Sequence, residues 1–217
     1  MTREEPGGDA SDPHLAALRR LLSEPWGWRN DKQDALHVPL PDWQNWRRIR
    51  YYGVPSFVGF RYGDDHHAVI AIWVRDAAEG VTPQGCLDDF EQWASPTAHD
   101  FSVAVSEGAV TRAPWPAGTG TPSPAPPAAG PNEHASTFQA PGGVVIKSVD
   151  AEITALFSKK TYAAAYAAYT MWPKTCTIFG VAVPLRGNDD LARQVRDRYV
   201  TDGFWRMDRH LEATPTH

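Results

Sequence analysis

The tract from Thr111 to Gly143, TRAPWPAGTGTPSPAPPAAGPNEHASTFQAPGG, constrains this chain more than any other feature. Prolines lack a backbone donor, and alanine and glycine bury little surface, so the middle of the tract cannot support a packed core. Long stretches of this kind inside a compact fold are functional loops or disordered linkers. The tract therefore divides the 217 residues into two strongly patterned blocks that together build one domain. We read 1–35 as an N-terminal helix with its extension and 36–110 as the first half of a single α+β domain. Residues 111–143 are a disordered linker or loop, 144–210 the second half of the same domain, and 211–217 a tail.

The patterning on either side predicts the elements. Ser11 or Asp12 caps a first helix with Pro13 in its opening turn, and Leu15, Leu18, Leu21 and Leu22 recur at helical spacing before Pro25. Residues 25–41 read as irregular, and the segment after Asp42 begins a helical turn carrying Trp43, Trp46 and Ile49 on one side. Ser56–Tyr62 and His66–Arg75 form a hairpin across Gly63-Asp64-Asp65. Both faces of the second strand are apolar, which predicts a central strand covered on each side. Leu87, Phe90 and Trp93 recur every third residue, so Gly85–Ser95 is a helix ended by Pro96, and Phe101–Ser106 is a further strand. Beyond the tract, Val144–Val149 is a strand. Thr161–Trp172 fits either a helix or a strand, and the preferred reading is a hairpin with Cys176–Leu185. Asn188–Gly203 is an amphipathic helix with Leu191, Val195 and Tyr199 in one stripe and acidic Asp189 and Asp190 at its positive end. The fold class this predicts is α+β: a mostly antiparallel sheet of five to six strands flanked by helices, with the long Pro/Gly/Ala-rich insertion.

Charge and cysteine usage narrow the function. A net charge of -5 argues against a nucleic-acid partner, because the summed field repels phosphate. No apolar stretch reaches the length needed to span a bilayer, and the N-terminus lacks the basic-then-apolar pattern of a signal peptide. Cys86 and Cys176 form no CxxC pair and read as two reduced, buried thiols of a cytoplasmic protein.

Catalytic and metal motifs are sparse. Gly63-Asp64-Asp65-His66-His67 brings carboxylates and imidazoles together, but neighbouring strand residues point to opposite faces, so a polar hairpin tip is the preferred reading over a metal site. Cys86 at a helix N-terminus has the setting of an activated thiol, yet no oxyanion signature flanks it. G-x-S-x-G, P-loop and G-x-G-x-x-G patterns are absent, and no cofactor is implied. The stretch WQNWRRIRYY is the most distinctive: Trp43, Trp46, Arg47, Arg48, Arg50, Tyr51 and Tyr52 are the residue types that make protein-interface hot spots. The alternative is that its aromatics pack the core while the arginines extend into solvent over apolar surface.

With LPDW at Leu40–Trp43 and the GVAVP strand at Gly180–Pro184 before the Asn188–Gly203 helix, the order of elements resembles the PsbP-like fold, which includes DcrB-type proteins and the Eag-type chaperones of type VI secretion effectors. The resemblance spans Leu40 to Met207 with the tract excised and is one of layout. It implies an antiparallel sheet with helices on both faces and a non-enzymatic binding or assembly role. The leading expectation is a protein-binding module, a chaperone, adaptor or immunity-type partner, that takes an acidic protein on its aromatic and arginine-rich surface. A small enzyme using Cys86, His66 or His99 is one alternative, and a structural subunit of a larger assembly is another.

Overall fold

Asp12 accepts a hydrogen bond from the His14 backbone N–H at 2.8 Å, which with Pro13 starts helix α1, Pro13–Ser23. The computed structural model describes residues 12–31, 36–49, 57–94, 101–105, 109–113, 143–155, 158–172 and 174–209. Next come β1 (Trp26–Asp31) and β2 (Leu36–Pro41), an antiparallel pair that replaces the irregular segment expected at 25–41. Its prolines and glycine hid it. Pro39 and Pro41 fall beyond the residues of β2 that pair with the short last strand, so their missing donors cost no bond on that side.

A 3-10 turn at Trp43–Asn45 leads directly into β3 (Trp46–Ile49), where a longer helical turn was expected. The hairpin follows as predicted, β4 (Phe57–Tyr62) and β5 (Ala68–Asp76), with Phe57 opposite Trp73 and Tyr62 opposite Ala68. Helix α2 spans Pro83–Ala94, and β6 (Phe101–Val105) and β7 (Ala109–Ala113) come after it. Thr111, Arg112 and Ala113, read from sequence as the start of the linker, belong to β7; residues 114–142 lie outside the described residues.

The long strands β8 (Val144–Ala155) and β9 (Ser158–Trp172) pair along their lengths, and β9 pairs with β10 (Thr175–Pro184). The alanines of β9 favour helix in isolation, but two flanking strands override that preference. Alternation buries Ala163, Ala165 and Ala167 on one face and Ala164 and Ala168 on the other. Helix α3 (Asp189–Thr201), a 3-10 turn at Gly203–Arg206 and β11 (Asp208–Arg209) complete the order.

The main sheet has eight strands in the order β3-β4-β5-β10-β9-β8-β6, with β7 also on β8, and every pairing is antiparallel. A second sheet, β1-β2-β11, has three strands. The α+β class with a mostly antiparallel sheet flanked by helices is thus as expected, and the sheet is wider than the five to six strands counted from the sequence. Strand β10 sits next to β5 and so joins residues from both sides of the tract.

One face of the sheet carries the larger core, where Ile70, Ile72, Phe179 and Val181 meet Leu18 and Leu21 of α1 and Val195 and Tyr199 of α3. The opposite face carries a smaller core beneath α2. There Phe90 lies between Trp73 and Tyr166, with ring centroids 5.2 Å from each. Cys86 and Cys176 do not stay reduced as expected: they form a disulfide that ties α2 to β10, with Cα atoms 5.5 Å apart. Sequence spacing gave no hint, because the bridge depends on α2 crossing the sheet at β10.

Candidate functional site

Asp42 organises the end of the molecule that carries the aromatic and arginine-rich stretch. Its backbone adopts φ 51, the left-handed region that Asp tolerates better than most residues. Its carboxylate accepts from Arg20 of α1 at 2.9 Å and 3.2 Å, from Asn45 at 2.8 Å and from the Tyr62 hydroxyl. Burial pushes its carboxyl up, but the bonds from Arg20, Tyr62 and Asn45 prevail and hold it below the usual range. Burial and the adjacent Asp42 charge push the Tyr62 phenol up, so it stays a donor.

This node fixes the directions of the two tryptophans that follow. Trp46 is 1% exposed; its indole N–H donates to the Pro41 carbonyl at 2.7 Å, and its ring packs edge-on against Tyr62 at 5.3 Å. Its placement on a partner surface is therefore corrected: strand alternation turns it into the core beside Tyr62. Trp43, at 40% exposure, is the exposed large hydrophobic among the described residues. It lies flat on Gly27 of β1, where an added Cβ would come within 2.0 Å of the indole. Arg29 covers the ring, with its guanidinium carbon 5.2 Å from the centroid, while donating to the carbonyls of Trp43 and Trp46 at 3.3 Å each. Trp43 is thus a partly exposed aromatic packed against Gly27 and Arg29 of β1.

The arginines of β3 follow it in the chain, Arg47 and Arg48 on opposite faces of the strand. Arg47 pairs with Asp64 at 3.2 Å, both side chains being mostly exposed at 65% and 74%. Such a pair contributes little and yields readily to a competing carboxylate. Arg48 is also exposed, and Arg61 of β4, opposite Arg47, approaches the same Asp64. Arg50, Tyr51 and Tyr52 lie outside the described residues.

The enzyme alternatives fare differently. Cys86 has its sulfur in the disulfide, so it offers no thiolate nucleophile. His66 is exposed in the β4–β5 turn at φ 52, with Nε2 3.4 Å from Arg61, and His99 lies outside the described residues. No group of three or more metal-binding side chains converges among the described residues. His67 is buried and meets His14 of α1, with the Nδ1 atoms 3.2 Å apart. Sequence reading missed this pair because 53 residues separate its members and no spacing rule links a helix N-terminus to a turn.

No family model matches the chain, and no curated protein matches it. Among solved structures it is similar to cyanobacterial PsbP (CyanoP) from Synechocystis sp. PCC 6803, with a TM-score of 0.49 and 8% identity over 85% of this chain and 92% of that one. It is also similar to a point mutant of the protein Mog1, with a TM-score of 0.49 and 6% identity over 84% of this chain and 95% of that one. No helix among the described residues is long and apolar enough to cross a membrane.

Proposed function

We propose that the chain is a non-enzymatic protein-binding module that takes an acidic partner on an exposed surface carrying Trp43 and Arg47, with Arg48 exposed on the other face of β3. The observation that carries this reading is the fixed exposure of Trp43. An indole left 40% in solvent, yet packed against Gly27 and Arg29, presents apolar area to a partner with little ordering left to lose. Arg47, with Arg61 opposite it on the same face, supplies the charge complement that steers an acidic protein in. A chaperone, adaptor or immunity-type role is of the kind that the PsbP-like layout implies, through members such as the DcrB-type proteins and Eag-type chaperones. The Cys86–Cys176 bridge supports work in an oxidising compartment rather than the cytoplasm, where thiols are kept reduced.

The test compares wild type with Trp43→Ala and with Arg47→Glu combined with Arg48→Glu. The arginine variant is expected to melt like wild type, because its altered side chains are exposed, and Trp43→Ala is expected to stay folded with a modestly lower melting temperature, because part of the indole packs on Gly27 and Arg29. Proteins captured by the wild-type chain from native lysate are expected to be acidic, to elute with salt, and to bind each variant at least about tenfold more weakly. Equal recovery by both folded variants overturns the reading.

A further inference from the structure

We propose that His14 and His67 form a proton-operated latch that fastens helix α1 to the rest of the domain and releases it in mild acid. Four segments meet at this pair. His14 lies in the first turn of α1, His67 ends the β4–β5 turn, Pro184 ends β10, and Asn188 at the start of α3 donates to Asp12 at 3.0 Å. The rings stack with centroids 5.3 Å apart and planes inclined by 29°. Gly63, at φ +66, leaves room for the His67 ring, since a Cβ there would come within 2.9 Å of it.

The partners fix where the protons sit. His14 Nε2 lies 3.1 Å from the Pro184 carbonyl, which only accepts, so Nε2 carries the hydrogen and Nδ1 of the neutral ring presents a lone pair. His67 Nδ1–H donates into that lone pair. A first proton fits on His67 Nε2 without breaking the contact. A second, on His14 Nδ1, sets two N–H groups against each other at 3.2 Å and breaks it.

The charged groups facing the pair are Asp12 from α1, Asp65 and His66 from the turn, and Arg186 from the connection between β10 and α3. Burial first, and the Arg186 charge among the further causes, hold both imidazoles below their ordinary value of 6.5, while Asp12 and Asp65 pull the other way. Released histidines bind protons more readily than latched ones. The latch is therefore complete above about pH 6.5 and is lost as the pH falls through the lowered values. The far end of α1 is tied differently, by Arg20 to Asp42 and by Arg198 to the carbonyls of Leu21 and Glu24. None of those groups titrates in this window, so opening starts at the histidine end.

Hydrogen exchange of the full-length chain, corrected for intrinsic rates, tests this between about pH 7.5 and 5.5. The opening constant of α1 should rise by up to about tenfold per pH unit for each proton taken up, while α3 and β10 hold their protection. In His14→Gln combined with His67→Gln, the acid-dependent opening should vanish. Should that variant fail to fold, imidazole resonances of the wild type give the answer: both histidines are expected to titrate below 6.5, together with α1 opening. Unchanged α1 protection down to pH 5.5, the same loss in the folded double variant, or titration of either ring above 6.5 overturns the proposal.

Discussion

Cutting the Cys86–Cys176 bridge should destabilise the protein without undocking α2. The bridge joins residues 90 apart in sequence, so it removes a large closed loop from the unfolded ensemble. In the chain-entropy model a loop of that length contributes about 4.6 kcal/mol, near the top of the roughly 2–5 kcal/mol lost when native bridges are removed. For a domain of this size, about 2–4 °C of melting temperature accompanies each kcal/mol, which places the expected fall at about 9–18 °C. Docking of α2 has a second source. Leu87 and Phe90 are buried against the sheet, and each such side chain contributes about 1.5–3 kcal/mol. Reduced protein should therefore keep the near-ultraviolet signal of Trp73 and Tyr166 packed on Phe90 while unfolding at lower denaturant. The assay is guanidinium unfolding with and without reductant, paired with thiol titration of untreated native protein and with Cys86→Ser combined with Cys176→Ser. Two reactive thiols in protein purified without reductant would refute the bridge. Complete reduction that shifts stability by less than about 1 kcal/mol would refute the loop-closure argument.

Two further outcomes follow from the core and from the tract. Val195 of α3 is fully buried, so Val195→Asp places an unpaired carboxylate in the core at a cost of several kcal/mol and should yield insoluble or unfolded chain; a soluble variant with a cooperative melt would contradict the assigned packing. Strands β7 and β8 hold Ala113 opposite Val144, so replacing Pro114–Pro131 with a short Gly/Ser linker changes only a slowly varying closure entropy; a melting temperature more than about 10 °C lower would count against this.

The elements that the sequence revealed are those whose periodicity agrees with their final environment. The α1 leucines, the β4–β5 alternation and the α3 stripe each bury the face that their spacing marks, down to Asp12 as the α1 cap. The α3 start differs in detail: Asn188 occupies the cap position, but its side chain reaches across to Asp12 instead of bonding its own helix. What stayed hidden depends on contacts distant in sequence. The β1–β2 pair carries prolines that argue against a strand until its neighbours are known, and β9 carries alanines that argue for helix until β8 and β10 flank it. The disulfide and the histidine pair join segments 90 and 53 residues apart, beyond the reach of any local pattern.

The aromatic and arginine-rich stretch shows how one backbone detail decides a site. Read at helical spacing, Trp43, Trp46 and Ile49 share a side, and either all of them face a partner or all of them face the core. The left-handed Asp42 and the 3-10 turn after it break that phase. From Trp46 onward the chain is extended, so Trp46 points inward with Tyr62, Arg47 points outward opposite Arg61, and Ile49 sits opposite Gly59. Trp43, before the phase change, lies on Gly27 instead of entering the core. Core packing therefore describes Trp46, while Trp43, Arg47 and Arg48 stay exposed, and the proposed partner surface draws on those exposed residues alone. The residue that separates them is Asp42, whose four hydrogen bonds from Arg20, Asn45 and Tyr62 hold the turn in the conformation that faces one tryptophan out and the next one in.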